Sequence, residues 1–163
     1  MSFKTSPEKA HDILYCLTPR KIVVNSPKYI DGGNFVDQFK KEGFGVMSVG
    51  DISGKKRSAI ARAKRLWNSD SQNPIIIEGT FESVNDMEKI FTGNYSYVYL
   101  YPNTVKVYAD NIIKSSETDT ELQNIKNNKT EFMELVKNCV EKNNNIYNEH
   151  CKAFGGKVFT VLI

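Results

Sequence analysis

Five short runs of β-branched and aromatic residues along the chain predict five β-strands. They cover residues 20–25, 44–49, 74–78, 95–101 and 157–163. The runs at 22–24 and 75–77 are continuously apolar, which is typical of strands covered on both faces. In 95–101 the tyrosines occupy alternate positions, so we expect them on one face of the sheet and Val98 and Leu100 on the other.

Segments with apolar residues at helical spacing separate these runs and predict the helices. They cover residues 6–17, 34–43, 55–67, 82–91, 103–114 and 119–150. Ser6 is a good N-cap for the first helix and Gly43 a natural C-cap for the second. The asparagine clusters KNNK and EKNNN are candidate breaks in the last and longest segment.

The alternation of strands and helices predicts an α/β fold with three layers and a mostly parallel, doubly wound sheet of about five strands. We interpret residues 1–163 as a single domain, with an N-terminal helix in 1–19 and the core in 20–163. Ligands of such sheets bind at the carboxyl ends of the strands. The loops after Asn25, Gly50, Glu78 and Pro102 are therefore the expected site.

Composition and charge exclude several classes of function. Of the 163 residues 40% are hydrophobic and 25% charged, and the net charge of +3 permits anion binding without indicating a dedicated nucleic-acid binder. No apolar run is long enough to span a membrane, and the first residues lack the apolar core of a secretory signal, so we expect no membrane partner and no secretion. Cys16, Cys139 and Cys151 form no zinc pattern, and His11 and His150 are isolated, so we predict free thiols and no metal site.

Residues 55–67 form the most basic stretch of the chain. Its apolar residues fall on one helical face and its cations mostly on the other. We interpret this segment either as the solvated face of an amphipathic helix or as an anion-binding surface for a nucleotide, a nucleic-acid backbone or an acidic protein. The candidate residues of that surface are Lys55, Lys56, Arg57, Arg62 and Arg65.

Three features in order resemble the P-loop kinase superfamily of nucleoside and nucleotide kinases. The strand 20–25 is followed by a Gly-containing loop and a helix, the aliphatic strand 74–78 ends in Glu78, and the strand 95–101 is followed by a helix and a polar segment. The resemblance covers roughly residues 20–163. It implies that the first loop corresponds to the phosphate-binding loop, Glu78 to the acidic residue near the metal or acceptor, and the segment after 101 to the arginine-bearing lid.

The residues that grip phosphate in such a loop are absent here. The motif G-x-x-x-x-G-K-[ST] supplies backbone N–H groups, a lysine and a hydroxyl. When the motif is aligned on the strand and the helix, its two glycines fall on Ser26 and Asp31. Its lysine falls on Gly32 and its hydroxyl residue on Gly33. Shifting the second glycine to Gly33 places Asn34 and Phe35 where lysine and hydroxyl belong, and Lys28 is the only cation in the loop.

The lid segment also departs from the family pattern, because it carries Lys106 and Lys114 but no arginine. Glu78 remains, and we expect it either to face solvent at the end of its strand or to play the family's acidic role. The resemblance thus predicts a degenerate member with no catalytic residues and no cofactor, acting as a binding or structural component. The alternatives are an active kinase with a divergent loop, which would need a magnesium nucleotide, and a nucleic-acid-binding module that uses the 55–65 helix.

The chain is rich in asparagine and lysine, whose codons are AT-rich. On that basis we interpret the protein as a component of a viral assembly with protein partners, located in the cytoplasm or the virion. A nucleotide or a nucleic acid is the further candidate partner.

Overall fold

The computed structural model describes residues 3–17, 19–53, 57–69 and 73–163. Its strands are β1 (Phe3–Thr5), β2 (Lys21–Asn25), β3 (Gly45–Asp51), β4 (Ile75–Thr80), β5 (Ser96–Tyr101) and β6 (Val158–Leu162). Its helices are α1 (Pro7–Cys16), α2 (Gly33–Asp37), α3 (Arg57–Trp67), α4 (Val84–Glu88), α5 (Val105–Ser116), α6 (Thr120–Lys126) and α7 (Lys129–Ala153).

The six strands form one sheet in the order β1-β6-β5-β2-β4-β3, and every pairing is parallel. The predicted α/β fold is confirmed, as are the five predicted strands. The additional strand, β1, pairs only with β6 at the edge of the sheet. Its three residues are too few to show an alternating pattern, so the residue pattern did not predict this strand.

Helices cover both faces of the sheet. On one face Ala10 and Leu14 of α1 and Val36 of α2 pack against the sheet. On the other face α3 contributes Ala63 and Trp67, and α4 and the second half of α7 complete the layer. A third cluster joins α5, α6 and the first half of α7 and includes Ile30 from the loop after β2.

Three predicted helices differ from those observed, and the segment 82–91 holds only the short α4. The segment 34–43 holds only the short α2 and a 3-10 turn at Lys40–Glu42, which ends at Gly43 in the left-handed conformation. The segment 119–150 contains two helices, α6 and α7, because Asn128 caps the second of them by accepting a hydrogen bond from the backbone N–H of Glu131. The KNNK cluster is thus a real break, whereas EKNNN lies within α7.

Candidate functional site

The carboxyl end of β2 lies at the centre of the sheet, between β4 and β5. The chain leaves β2 toward β4 and β3 on one side, and later reaches β5 and β6 on the other. This is the topological switch point, where loops diverge and ligands of open α/β sheets bind. The loops after β2 and β4 meet here, because the Ser26 backbone N–H donates to the Gly79 carbonyl at 2.8 Å and the Thr80 hydroxyl donates to the Ser26 carbonyl at 2.7 Å.

The loop after β2 approaches β4 very closely at Gly32. A Cβ atom at this position would lie 1.8 Å from Ser26 Oγ, 3.0 Å from Ser26 Cβ and 2.8 Å from Glu78 Oε1. Any residue larger than glycine would clash here unless the Ser26 side chain moved away. Gly32, which stands at the lysine position of the motif, therefore allows the loop to lie directly against β4.

Asp31 occupies the start of α2. Its carboxylate accepts hydrogen bonds from the Gly33 backbone N–H at 3.0 Å and from the Asn34 side-chain amide at 3.2 Å. Lys114 of α5 lies 3.6 Å from the same carboxylate. A backbone N–H and a nearby cation, which an anionic ligand would need, are thus engaged by a carboxylate of the chain itself.

Glu78 lies inside β4, with 6% of its surface exposed. The expectation of a solvent-facing carboxylate at the strand end was wrong, because β4 continues to Thr80 and the loop 26–33 covers the side chain. The Ser26 hydroxyl donates to Glu78 Oε1 at 3.3 Å. Burial raises the pKa of Glu78, hydrogen bonds from Ser26 and Ser48 oppose that rise, and the charges of Asp31 and Asp37 add to it.

Lys28 and Tyr29 lie between these groups and the helical cluster of α5, α6 and α7. Tyr29 has a φ of 69°, which a non-glycine residue adopts only when its surroundings hold it there. Lys28 Nζ lies 5.2 Å from the centre of the Tyr29 ring, and the neighbouring Ile30 is buried in the helical cluster. The loop after β2 is therefore packed onto the chain's own α5–α7 region.

The basic candidate residues lie on α3. Arg57, Arg62 and Arg65 are exposed, as predicted for the polar face, and Ala63 and Trp67 are buried on the opposite face. Within the described residues, none of these three arginines forms an ion pair. The other two candidate residues, Lys55 and Lys56, lie outside the described residues.

Sequence reasoning missed a polar network beneath α7. The Asn25 amide donates to the Tyr97 hydroxyl and to the Phe81 carbonyl, each at 2.8 Å, and Asn25 Oδ1 accepts from the Phe81 backbone N–H at 3.0 Å. The Tyr97 hydroxyl in turn contacts His150 Nδ1, and His150 Nε2 lies 3.2 Å from the Glu82 carbonyl. Because that carbonyl can only accept, the proton of His150 belongs on Nε2, and Tyr97 donates to Nδ1.

A second branch of this network joins Tyr99 to α5 through α7. Tyr99 donates to the side-chain oxygen of Asn143, whose amide donates to the Tyr108 hydroxyl. Asn143 and His150 are seven residues apart on the buried face of α7, a spacing that could have indicated buried polar groups. The predicted tyrosine face is confirmed.

A cavity of about 40 Å³ lies beside this branch, lined among others by Lys28, Thr80, Tyr108, Cys139 and Asn143. Each water molecule needs roughly 10–15 Å³ by this measure, so the cavity has room for only a few waters. Ligand pockets for drug-sized molecules are typically about 300–1,000 Å³. In this conformation the cavity is far too small for a nucleoside.

Comparison with protein-family models finds no matching family, and comparison with curated proteins finds no matching relative. None of the helices in the described ranges is long and apolar enough to cross a membrane. Within the same residues, no group of three or more His, Cys, Asp or Glu side chains is arranged to hold a metal ion.

Proposed function

We propose that this protein is a non-catalytic binding or structural component built on a P-loop kinase-like fold that has lost phosphoryl transfer. The observation that carries the proposal is the position of Asp31, whose carboxylate accepts a hydrogen bond from the Gly33 backbone N–H at the start of α2. In a working phosphate loop this place belongs to the ligand. Two unit charges of the same sign about 4 Å apart repel by roughly 4 kcal/mol at an effective dielectric constant near 20.

The charges around the loop support the same proposal. The charges of Asp31 and Asp37 add to the raised pKa of Glu78, so both carboxylates lie close enough to act on Glu78. A polyphosphate entering here would meet negative charge, whereas kinases stabilise it with lysine, arginine and magnesium. The loop's own cation does not offset this negative charge, because Lys28 packs against the ring of Tyr29.

Helix α5, which corresponds to the lid segment of the kinases, also supports the proposed loss of phosphoryl transfer. Lys106 lies 2.7 Å from Asp110 and Lys114 lies 3.6 Å from Asp31. Both cations of α5 are thus paired within the chain, and neither has the bidentate geometry with which arginine binds a transferring phosphoryl group. The interpretation as a component of a viral assembly, in the cytoplasm or the virion, rests on composition alone and stays a prediction.

Calorimetric titration with Mg-ATP, Mg-GTP and nucleoside monophosphates, combined with an assay for phosphoryl transfer, tests this proposal. We expect no binding up to millimolar concentrations and no transfer. Micromolar binding with transfer would show an active kinase with a divergent loop and would overturn the proposal.

The Asp31→Asn variant tests the physical reason, with Asp37→Asn as the matched control, since each removes one negative charge near the same loop. We expect binding of inorganic phosphate to become measurable only in Asp31→Asn. Equal behaviour of the two variants would mean that the carboxylate at the start of α2 is not what excludes phosphate.

One observation favours a second candidate function, the binding of a polyanion by α3. Its arginines are exposed and free of ion pairs within the described residues. Binding of single-stranded nucleic acid would then fall steeply with salt and be lost when Arg57, Arg62 and Arg65 are neutralised together. A salt-independent interaction, or one that survives this triple substitution, would exclude the candidate.

A further inference from the structure

The two halves of α7 have different surroundings. The second half packs on the sheet, where Ile146 and Tyr147 contact the core and Asn143 and His150 complete the polar network. The first half packs on α5 and α6, away from the sheet core. Between α5 and this first half runs an open groove of about 400 Å³, which we call the α5–α7 groove. Its lining residues are Val105, Ala109, Phe132, Met133, Val136, Lys137, Val140 and Glu141.

The α5–α7 groove exposes large apolar side chains. Val105 is 60% exposed and Met133 is 61% exposed, the two highest values among the exposed large hydrophobic residues of the described chain. Val136, in the floor, is 6% exposed. Adjacent exposed apolar side chains on a helical surface mark a contact site, and methionine is enriched at such sites because its flexible side chain adapts to a partner.

Two opposite charges border the groove on α7. Lys137 and Glu141 are one helical turn apart, and within the described residues neither forms an ion pair. If two α7 helices pack antiparallel about a two-fold axis between these positions, Lys137 of each copy faces Glu141 of the other. Such self-complementarity is the requirement of a symmetric interface, in which the same patch contributes from both sides.

We propose that the α5–α7 groove is the interface of a weak symmetric dimer of this chain. Met133 lies one turn before Lys137 on the same side of α7, so in this arrangement α7 of the second copy covers it. The inference goes beyond the proposed loss of phosphoryl transfer. The groove shares no residue with the loop 26–34, so either proposal can fail without the other.

The size of the groove sets the strength of this dimer. A contact that is centred between Lys137 and Glu141 and reaches Met133 spans residues 133–145 of α7, about 20 Å at 1.5 Å per residue, and two adjacent helices are about 20 Å wide. The contact would bury on the order of 400 Å² on each copy, or about 800 Å² in total. Stable complexes bury more than about 1,200 Å², so the dimer is expected to dissociate reversibly on dilution.

Sedimentation velocity of the full chain from about 1 µM to about 1 mM measures this equilibrium. We expect the mean sedimentation coefficient of the wild type to rise with concentration. Lys137→Glu and Glu141→Lys each place like charges opposite one another and should raise the dissociation constant about tenfold or more. The double variant K137E/E141K restores opposite charges and should recover the wild-type dissociation constant.

Mixing the two single variants gives the sharpest test. One carries two negative and the other two positive groups at the interface, so the mixture should form a heterodimer more readily than either variant forms a homodimer. Met133→Glu should also weaken the dimer, while Tyr15→Ser, at another exposed apolar residue (47% exposed), should leave it unchanged. All four changed positions are exposed, and circular dichroism checks that each variant folds.

Three results would overturn the inference. A wild type that stays monomeric up to 1 mM leaves no dimer to explain. A dimer that both single charge variants retain lies elsewhere on the surface. If the double variant is as weak as the single ones, the two charges do not face each other across a two-fold axis.

Discussion

On the face of the sheet covered by α1 and α2, β5 contributes Val98 and Leu100, whose side chains belong to an apolar cluster. On the face covered by α7 the same strand contributes Tyr97, Tyr99 and Tyr101, each of which hydrogen-bonds to α7. Both faces are buried. The first is held by apolar contact, which has no direction, and the second by contacts that fix one alignment of helix and strand.

The two faces are therefore expected to respond differently to mutation. Aliphatic cores tolerate changes that conserve volume, because the contacts can adjust. A buried polar network does not, since removal of one partner leaves the others without a hydrogen bond. Substitutions in the polar network and on the aliphatic face test that contrast.

Asn25→Ala should cause the largest loss. It removes the partner of three groups at once, namely the Phe81 N–H, the Phe81 carbonyl and the Tyr97 hydroxyl. An unsatisfied buried group costs about 1–3 kcal/mol, so we expect the free energy of unfolding to fall by roughly 4 kcal/mol in urea denaturation. Ile76→Val on the aliphatic face is the control and should cost about 1 kcal/mol. Similar losses in the two variants would remove the contrast between the faces.

Tyr99→Phe should lower the free energy of unfolding by about 1–2 kcal/mol, because it keeps the ring but leaves the side-chain oxygen of Asn143 without its donor. Replacing both partners, in Tyr99→Phe with Asn143→Leu, should cost less than the sum of the two single changes. A thermodynamic double-mutant cycle measures this coupling. Strict additivity would show that the hydroxyl does not act through Asn143.

The pH dependence of stability should follow His150. Burial lowers its pKa below the ordinary value of 6.5, while the Glu82 carbonyl and Glu149 oppose that shift. Between the two pKa values the unfolded chain binds more protons than the folded one, so stability rises with pH in that window and is lost as the pH falls below about 6.5. Urea denaturation between pH 5 and 8 should show this slope, and His150→Gln should reduce it. An unchanged slope in the variant would assign the effect to another group.

Glu78→Gln should have the smallest effect and the opposite sign. Burial raises the pKa of Glu78, so the stability that it contributes is present below 4.5 and is lost as the pH rises through the raised value. The amide carries no charge, so the variant should be slightly more stable than the wild type at pH 7 and equal to it near pH 4. Thermal unfolding at the two pH values provides the measurement. A variant that is less stable at pH 7 would show that the ionised carboxylate is preferred in the folded protein.

Much of the fold could be predicted because its pattern is local. The continuous runs at 22–24 and 75–77 become central strands, and the alternation in β5 separates tyrosines from Val98 and Leu100. The features that could not be predicted depend on contacts with distant parts of the chain. Glu78 is buried because Gly32 and Ser26 close over it, and nothing near Glu78 in the sequence indicates this. The same holds for Asn25, whose partners lie 56 and 72 residues away.

The tyrosines of β5 also act as a measure of length. Alternate residues of a strand are about 6.6 Å apart, whereas successive residues of a helix rise about 1.5 Å. Tyr97 meets His150 and Tyr101 meets Asn144, and both contacts form together only for one axial position of α7. A displacement of the helix by a single residue would separate these pairs. The sheet thereby sets how far the first half of α7 extends beyond its edge, and so where the α5–α7 groove is presented.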